Sequence, residues 1–454
     1  MSREDVNATE ILSRMLRATG YRWSSLALWL NGDFFDVKGV DELSRLGLRG
    51  RACLCSVNLS AYQDSAIALD GEIYNLGDAH GGWRPSTLLG GGLEGVQEKS
   101  RMRGLDGSYA FVIMHDGCAV LARDPVGTRP LYVASDGRGN AFATERKALL
   151  AADFQGIRPL KPGHVAFADK HGLRELEFYN LPEELRTLRP FTGPSQEIAS
   201  ILLENLRCAV AKMVKGKKVG VLFSGGLDSS IIAKLSSDLG MGPRLVCAGL
   251  PTSKDVLRAK RVAEVLGLEL HVRELDEGEI EKALPEIARI TGRPSPLDVS
   301  IATPLYFASM EAKEAGLDRV LVGQGADEAF AGYKRYEKVL EKCGYELLGE
   351  ELLKDVSQLY EKNLERDYNT YLACSVEPAY PYLDVAVLKC AFMIPVREKL
   401  KVDAVGYSRK HILRVVGKML GLPEYVVSMP KSAIQYGSGV WKVVKRVLKN
   451  ARLM

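Results

Sequence analysis

Features that indicate a membrane, a secretory route or a polyanionic partner are missing from this 454-residue chain. No stretch approaches about 18 consecutive apolar residues, the length expected of a membrane span. The first residues, MSREDVNATE, lack the basic and then apolar pattern of a signal peptide. Sixty-one Lys and Arg against 57 Asp and Glu leave a net charge of only +4, which favours neither nucleic acid nor a membrane surface as a partner. We therefore expect a cytoplasmic protein.

Cysteine is also scarce. The eight cysteines lack the spacing of a disulfide framework, which fits a reducing compartment. Only Cys53 and Cys55 lie close together, and one C-x-C pair without a second cluster makes a poor zinc site, so we expect both in a core. The chain has no G-x-x-x-x-G-K-[ST] loop for phosphate. LLGGGLEGVQ matches G-x-G-x-x-G, but no strand precedes it, so we expect a loop at Gly90, Gly92 and Gly95.

The pattern of strands and helices divides the chain in two. Residues 1–180 hold short strand patterns separated by Asp-Gly turns, which predict antiparallel sheet. A polar stretch with prolines follows at 181–195 and is typical of a linker. From 196 to 454 short apolar strands alternate with helices, which predicts a doubly wound parallel sheet with added helices. The basic side chains of the last helix, WKVVKRVLKN, are expected to face solvent.

The strongest motif is the loop SGGLDSS, Ser224–Ser230, between the predicted strand KVGVLF and a helix. Two glycines let the backbone turn sharply and approach a ligand. The serines and the backbone N–H groups then surround an anion at the helix N-terminus. A carboxylate would repel a bare phosphate, so Asp228 fits best as a ligand of Mg²⁺ that bridges to the phosphates.

With this loop, the second half resembles the ATP pyrophosphatase superfamily, and more narrowly the synthetase domain of asparagine synthetases and the related β-lactam synthetases. Further matches follow in order: AGLP at 248–251, GQGADE at 323–328, Glu377 with PYLD at 381–384, and Lys431 in PKSAIQYGSGV. The resemblance implies that ATP and a carboxylate give an acyl-adenylate, from which an amine displaces AMP. It implies ATP contacts at Leu222, Ser224, Gly225, Gly226, Asp228, Ser229, Ser230, Ala248, Val322 and Gly323.

The same resemblance suggests catalytic residues. Asp228 and Asp327 each follow a predicted strand of one sheet, so both are expected at one crevice, where they would hold Mg²⁺. Lys431 would place a positive charge on the phosphates. Gln324 stands where asparagine-forming relatives have glutamate and β-lactam-forming relatives have tyrosine. Since glutamine cannot take a proton from ammonium, Glu377 is the hypothetical base of amine transfer, near Ala379, which replaces a family arginine.

The first 180 residues resemble the class II glutamine amidotransferase domain, a four-layer αββα sandwich. GEIYN at 71–75, LDGSYAF at 105–111 and RDPVGTRPLY at 123–132 carry this resemblance. The catalytic parts depart from the family. Ser2 stands where a cysteine is required, Asp70 replaces the oxyanion-hole asparagine, and a carboxylate there would repel an oxyanion. We expect a scaffold without glutaminase activity.

These features together predict an asparagine synthetase-like, AMP-forming amide ligase that uses ATP and Mg²⁺. Its partners would be a small carboxylate and ammonia or another amine. A separate ammonia-delivering protein and a homodimer are compatible with the sequence. Two alternatives stay open: a β-lactam synthetase-like or other specialised amide ligase, and a catalytically silent paralogue that binds ATP.

Overall fold

The computed structural model describes residues 6–19, 26–30, 33–37, 49–50, 53–56, 59–62, 65–75, 102–115, 118–292, 295–404, 406–429 and 433–450. The chain forms two compact units, residues 1–181 and 182–454. Among the described residues, no helix is long and apolar enough to cross a membrane.

The first unit is built mainly of antiparallel strands. Its strands are β1 Val6–Asn7, β2 Leu26–Leu30, β3 Asp33–Val37, β4 Arg49–Gly50, β5 Cys53–Ser56, β6 Leu59–Tyr62, β7 Ser65–Ile73, β8 Gly107–His115, β9 Cys118–Arg123, β10 Tyr132–Asp136, β11 Gly139–Ala143, β12 Arg158–Pro159, β13 His164–Asp169 and β14 Gly172–Glu177. Its helices are α1 Ala8–Thr19 and α2 Arg146–Ala151. The largest sheet has the order β14-β13-β9-β8-β7-β6.

Burial explains why the central strands of this sheet form. β8 reads GSYAFVIMH, and its seven interior residues are buried. In β9 the residues Ala119–Ala122 are at most 1% exposed. Apolar and β-branched side chains at this density favour a strand covered on both faces. Cys53 and Cys55 both lie on β5, two residues apart.

The second unit surrounds a parallel sheet with helices. Its sheet strands are β15 Val219–Leu222, β16 Arg244–Gly249, β17 Leu270–Glu274, β18 Arg319–Leu321 and β19 Glu377–Ala379, and a separate hairpin joins β20 Leu400–Asp403 to β21 Gly406–Arg409. Its helices are α3 Leu181–Arg186, α4 Ser195–Val214, α5 Leu227–Asp238, α6 Lys254–Leu266, α7 Glu277–Thr291, α8 Pro296–Glu314, α9 Ala326–Ala329, α10 Arg335–Ser357, α11 Glu365–Ala373, α12 Val385–Met393, α13 Val396–Lys399, α14 His411–Met419, α15 Glu424–Val427, α16 Ile434–Gly437 and α17 Val440–Asn450.

The order of the parallel strands locates a crevice. The sheet runs β17-β16-β15-β18-β19, and every pairing in it is parallel. The chain moves from β15 outward to β16 and β17, then returns to β18 on the other side of β15. Ligands of doubly wound sheets bind beyond the carboxyl ends of the strands at this reversal. The loops after β15 and β18 are therefore the first place to look for a site.

The predicted fold class is confirmed, with antiparallel sheet in the first unit and a parallel sheet in the second. The alternation from β15 to β17 agrees with the predicted elements, and β16 covers the predicted residues Arg244–Gly249. The structure also contains elements that were not predicted. Helix α3 lies within residues 181–195, which were expected to be a linker. Helix α1 and the hairpin β20–β21 had no counterpart in the prediction either.

Candidate functional site at the strand ends

The loop after β15 has the geometry of an anion-binding turn. Gly225 has a φ of 64°, a left-handed conformation, and a Cβ there would lie 2.9 Å from backbone atoms of Arg258. Glycine is therefore required at this position. Gly226 caps α5, whose first turn holds Asp228 and Ser229. The free N–H groups of this first turn and the helix dipole favour an anion at the end of the loop.

Asp228 and Asp327 meet at one lysine. The Nζ of Lys410 lies 2.5 Å from Oδ2 of Asp228 and 2.6 Å from Oδ1 of Asp327. All three side chains are largely buried. The structure thus brings the two carboxylates together at the reversal between β15 and β18, as the sequence predicts, and adds a cation between them.

Lys410 was missed in the sequence because it lies 182 residues from Asp228, just before α14. Its φ of 54° and ψ of 34° are left-handed, a conformation that costs a non-glycine residue free energy. A cation at a helix N-terminus is also opposed by the helix dipole. A lysine held in such a position against both effects is typical of a functional site.

Close backbone approaches fix the two carboxylates. A Cβ on Gly323 would lie 3.2 Å from Cβ of Asp228. A Cβ on Gly332 would overlap Oδ1 of Asp327 and Cε of Lys410. The hydroxyl of Tyr382 donates to the main-chain oxygen of Asp228 at 3.1 Å. The loops after β15 and β18 therefore pack on each other with little freedom.

The carboxylates fit a magnesium ion shared with a phosphate ligand. Oδ1 of Asp228 is buried and has no hydrogen-bond partner within the described part of the chain. In that same part, no three His, Cys, Asp or Glu side chains gather as a metal cage. Mg²⁺ is commonly held by one or two carboxylates together with substrate phosphates and water. The donor set of Asp228 and Asp327 matches this second arrangement.

A cavity of about 380 Å³ lies over these loops, within the size range of small-molecule sites. The predicted residues that line it are Leu222, Ser224, Gly226, Asp228, Ser229, Ala248, Val322, Gly323, Gln324 and Asp327. Most of the predicted set thus surrounds one space.

Ser230 and Gly225 shape the loop but do not line the cavity. Ser230 is fully buried, and its backbone N–H donates to the oxygen of Gly226 at 3.0 Å. Its position in the first turn of α5 explains why the sequence motif includes it. Lys431 lies outside the described residues, so its predicted contact with phosphate stays a prediction.

Glu377 does not line the cavity, a position that argues against its predicted role as the base of amine transfer. It is the first residue of β19 and pairs with Arg319, the first residue of β18. Its Oε2 accepts hydrogen bonds from Nε and Nη2 of Arg319 at 3.2 and 2.7 Å. Its carboxylate therefore neutralises a buried arginine at the amino-terminal end of the strand, opposite the end where ligands bind.

Arg258 is a second residue that the sequence analysis missed. From the first half of α6 it lines the cavity, and its Nε donates to the main-chain oxygen of Ser224 at 2.6 Å. It also forms an ion pair with Asp255. The only signal in the sequence is a charged residue on the buried side of an amphipathic helix.

Another cavity wall comes from α8 and α11. Along α8 the residues Leu297, Ile301, Pro304, Leu305 and Ala308 line it, at spacings of one helix face. With a rise of about 1.5 Å per residue, this face spans roughly 16 Å. It runs from Leu297, near the N-terminus of the helix, to Ala308.

α11 contributes Arg366, Asp367 and Tyr371 to the cavity lining, and Arg366 lies at the Leu297 end. Arg366 also contacts Asp298 of α8 at 3.1 Å. Burial raises the pKa of Asp367, and the charge of Arg366 opposes that rise. The sequence analysis did not identify these residues, because they match no motif.

In the first unit, Asp70 lies on β7, opposite Ala110 of β8. Gly71 has a φ of 97°, and a Cβ there would overlap the main-chain oxygen of Ser108, so the glycine of the GEIYN motif is structurally required. Ser2 and the loop with Gly90, Gly92 and Gly95 lie outside the described residues. The loss of glutaminase chemistry therefore stays a prediction.

Comparison with known families agrees with both halves. The asparagine synthase family model matches residues 202–345 and 340–453. A glutamine amidotransferase domain model matches residues 93–151. Together the two matches cover more than half of the chain.

Curated relatives agree with these matches. A putative glutamine-hydrolyzing asparagine synthetase 1 of Methanocaldococcus jannaschii is 36% identical, over 78% of this chain and 73% of its own length. Glutamine-hydrolyzing asparagine synthetase 3 of Arabidopsis thaliana is 28% identical, over 74% of this chain and 59% of its own length. Among structures, the glutamine phosphoribosylpyrophosphate amidotransferase of B. subtilis aligns with 79% of this chain and 92% of its own, at 17% identity and a TM-score of 0.34. The chain belongs to the asparagine synthase family.

Proposed function

We propose that the second unit is an ATP-dependent amide ligase that activates a carboxylate as its adenylate, releases pyrophosphate and passes the acyl group to ammonia. The observation that carries the proposal is the cluster of Asp228, Asp327 and Lys410 at the end of the SGGLDSS loop. A helix N-terminus, a cation and two carboxylates at one crevice are suited to the triphosphate of ATP with Mg²⁺.

The protein residues have separate tasks in this proposal. Backbone N–H groups from Gly226 to Ser229 bind phosphate oxygens, and the apolar wall near Ala248 accommodates the adenine. Asp228 and Asp327 hold Mg²⁺, which when bound neutralises charge on the phosphates. Lys410, at the same carboxylates, donates to the departing pyrophosphate and stabilises its growing charge.

The amine-transfer step needs a proton acceptor at the cavity. Of the two residues assigned to this step from the sequence, Gln324 lines the cavity and Glu377 does not. Glu328 is a cavity carboxylate close to Gln324 in the chain, and its Oε1 accepts from the hydroxyl of Tyr333 at 2.6 Å. We propose that Glu328 accepts the proton that the attacking amine loses, and that Glu377 has a structural role.

Product analysis tests the ligase proposal. Phosphorus NMR of the protein with ATP, Mg²⁺, ammonium and a panel of acids should show AMP and pyrophosphate. Asp228→Asn and Asp327→Asn should each lower this turnover by about 10²-fold or more. ADP and phosphate as products would refute adenylate formation, and near wild-type rates in both variants would refute the metal assignment.

The first unit is proposed to act as a scaffold without hydrolysing glutamine. The support is the carboxylate of Asp70 where an oxyanion would need a hydrogen-bond donor. Glutamine should then fail to replace ammonium as the nitrogen source, and Ser2→Ala should leave turnover unchanged. Glutamate release that disappears in the Ser2→Ala variant would contradict this.

A further inference from the structure

Among the described lining residues, Arg366 is the only arginine at the Leu297 end of the cavity. Two carboxylates already contact its guanidinium group. Its Nε and Nη2 lie 2.8 and 2.7 Å from Oδ1 of Asp367. Its Nη1 donates to Oδ1 of Asp298 at 3.1 Å. All three guanidinium nitrogens are therefore engaged by the protein itself.

The charge at this end of the cavity is negative. One guanidinium and two carboxylates leave the Arg366 cluster, defined as Arg366, Asp298 and Asp367, with one net negative charge. Arg366 and Asp367 are 6% and 3% exposed, so water screens this charge weakly. The basic residues Arg258, Lys410 and Arg414 instead contact the nucleotide loops or the segment at 427–429.

A second carboxylate on the acceptor would fit poorly here. To bind Arg366 it would have to compete with Asp298 and Asp367, which already contact all three guanidinium nitrogens. The added anion would also face the negative charge of the cluster. An ammonium or guanidinium group, in contrast, could form charged hydrogen bonds with the carboxylate oxygens of the cluster, which lie in a weakly screened environment.

Tyr371 provides an independent indication that a ligand belongs here. It is fully buried and lines the cavity. Its hydroxyl has no hydrogen-bond partner in the part of the chain that the structure describes. A buried hydroxyl is expected to be satisfied, and a ligand in the cavity would satisfy it. On the neighbouring helix α8, Leu297 and Ile301 offer apolar contact for an alkyl chain.

We propose that the acceptor is a carboxylic acid that carries a basic nitrogen instead of a second carboxylate. The reactive carboxylate lies toward Asp228 and Lys410, an alkyl segment lies along Leu297 and Ile301, and the cation binds at Asp367 and Tyr371. This inference rests on the proposed ligase function and names the substrate class of that site.

Matched pairs of acids test it. β-Alanine and 4-aminobutyrate each replace one carboxylate of succinate and glutarate with an ammonium group. Calorimetric titration of each acid into the protein with α,β-methylene-ATP measures binding, and pyrophosphate release with ATP measures activation. We expect each amino acid to bind at least tenfold more tightly than its paired diacid.

Variants separate recognition from folding. Asp367→Asn should reduce or reverse the preference for the amino acids, because Arg366 loses a carboxylate partner and can then bind an anionic group of the ligand. Tyr371→Phe should keep its melting temperature and lose acceptor affinity by about threefold to tenfold, since the hydroxyl has no partner to lose. Asp355→Asn is the matched control: Asp355 is a buried partner of Arg335 away from the cavity, and the preference should not change.

The outcomes distinguish this inference from the ligase proposal. Tighter binding of the diacids, or an Asp367→Asn preference equal to wild type, would overturn the cationic acceptor and leave the ligase in place. ADP formation, or a failure to release pyrophosphate with every acid that binds, would contradict the ligase itself.

Discussion

Lys410 holds the centre of the site because its single positive charge bridges two carboxylates that would otherwise repel each other. Its Nζ contacts both at hydrogen-bond distance, and its left-handed backbone shows that the surrounding structure enforces this position. The lysine and a magnesium ion would compete for the same oxygens. A bound Mg²⁺ would therefore free the lysine to contact phosphate.

This competition gives a prediction for Lys410→Met. Without divalent ions the variant should melt at a lower temperature, because Asp228 and Asp327 lose their shared cation. Added Mg²⁺ should raise its melting temperature more than that of the wild type, since the ion no longer displaces a lysine. Thermal denaturation with and without Mg²⁺ measures both effects. An equal Mg²⁺ shift in the two proteins would show that the ion binds elsewhere.

Lys399 is a charged residue that the site does not use. It ends α13, is 1% exposed, and its Nζ lies 4.4 Å from the ring centroid of Phe392. Burial lowers its pKa to about 7. The unfolded chain keeps this proton up to about pH 10.4, so the unfolded state binds more protons than the folded one between these values. Stability therefore rises with pH across that window.

Lys399→Met should remove this dependence. At pH 7 the variant should be more stable than the wild type by up to about 4 kcal/mol, because no charge has to be buried. The difference should shrink as the pH rises toward 10. Urea unfolding at several pH values measures it. A variant less stable than wild type at pH 7 would mean that the ammonium has a favourable partner.

At the scale of elements, the site depends on how tightly the segment after α9 approaches α14. Gly332 allows this approach, since a Cβ would overlap Asp327 and Lys410. Gly332→Ala should therefore weaken ATP binding by tenfold or more, with far-ultraviolet circular dichroism unchanged. Gly349→Ala is a control in α10, where the nearest atom to the new Cβ is 3.4 Å away. Wild-type affinity for ATP in Gly332→Ala would contradict the close packing.

The sequence predicted the elements that local pattern defines. The SGGLDSS loop, β16 and Asp327 were recognisable because strand, turn and helix signals are contiguous there. Lys410 and the Arg366 cluster were not, because their partners lie 182 and 68 residues away. Glu377 was misplaced for a related reason: β19 has three residues, too few to show from the sequence which end faces the ligand.

At the scale of the whole molecule, the two units carry different parts of the family pattern. The second unit keeps the loop, both carboxylates and the cavity. The first unit keeps the motif glycine at 71 and the buried strands β8 and β9. In the proposed function nitrogen enters as ammonia, and the cavity of the second unit is the place of the reaction.

The central claim is that the acceptor attacks the α-phosphorus of ATP. The most direct test uses an acid labelled with oxygen-18 in its carboxylate, together with ATP, Mg²⁺ and ammonium. In an adenylate the bridging oxygen comes from the acid and stays with phosphorus when ammonia attacks the acyl carbon. Mass spectrometry should find one oxygen-18 in AMP. Label in inorganic phosphate beside ADP, or unlabelled AMP after amide formation, would contradict the mechanism.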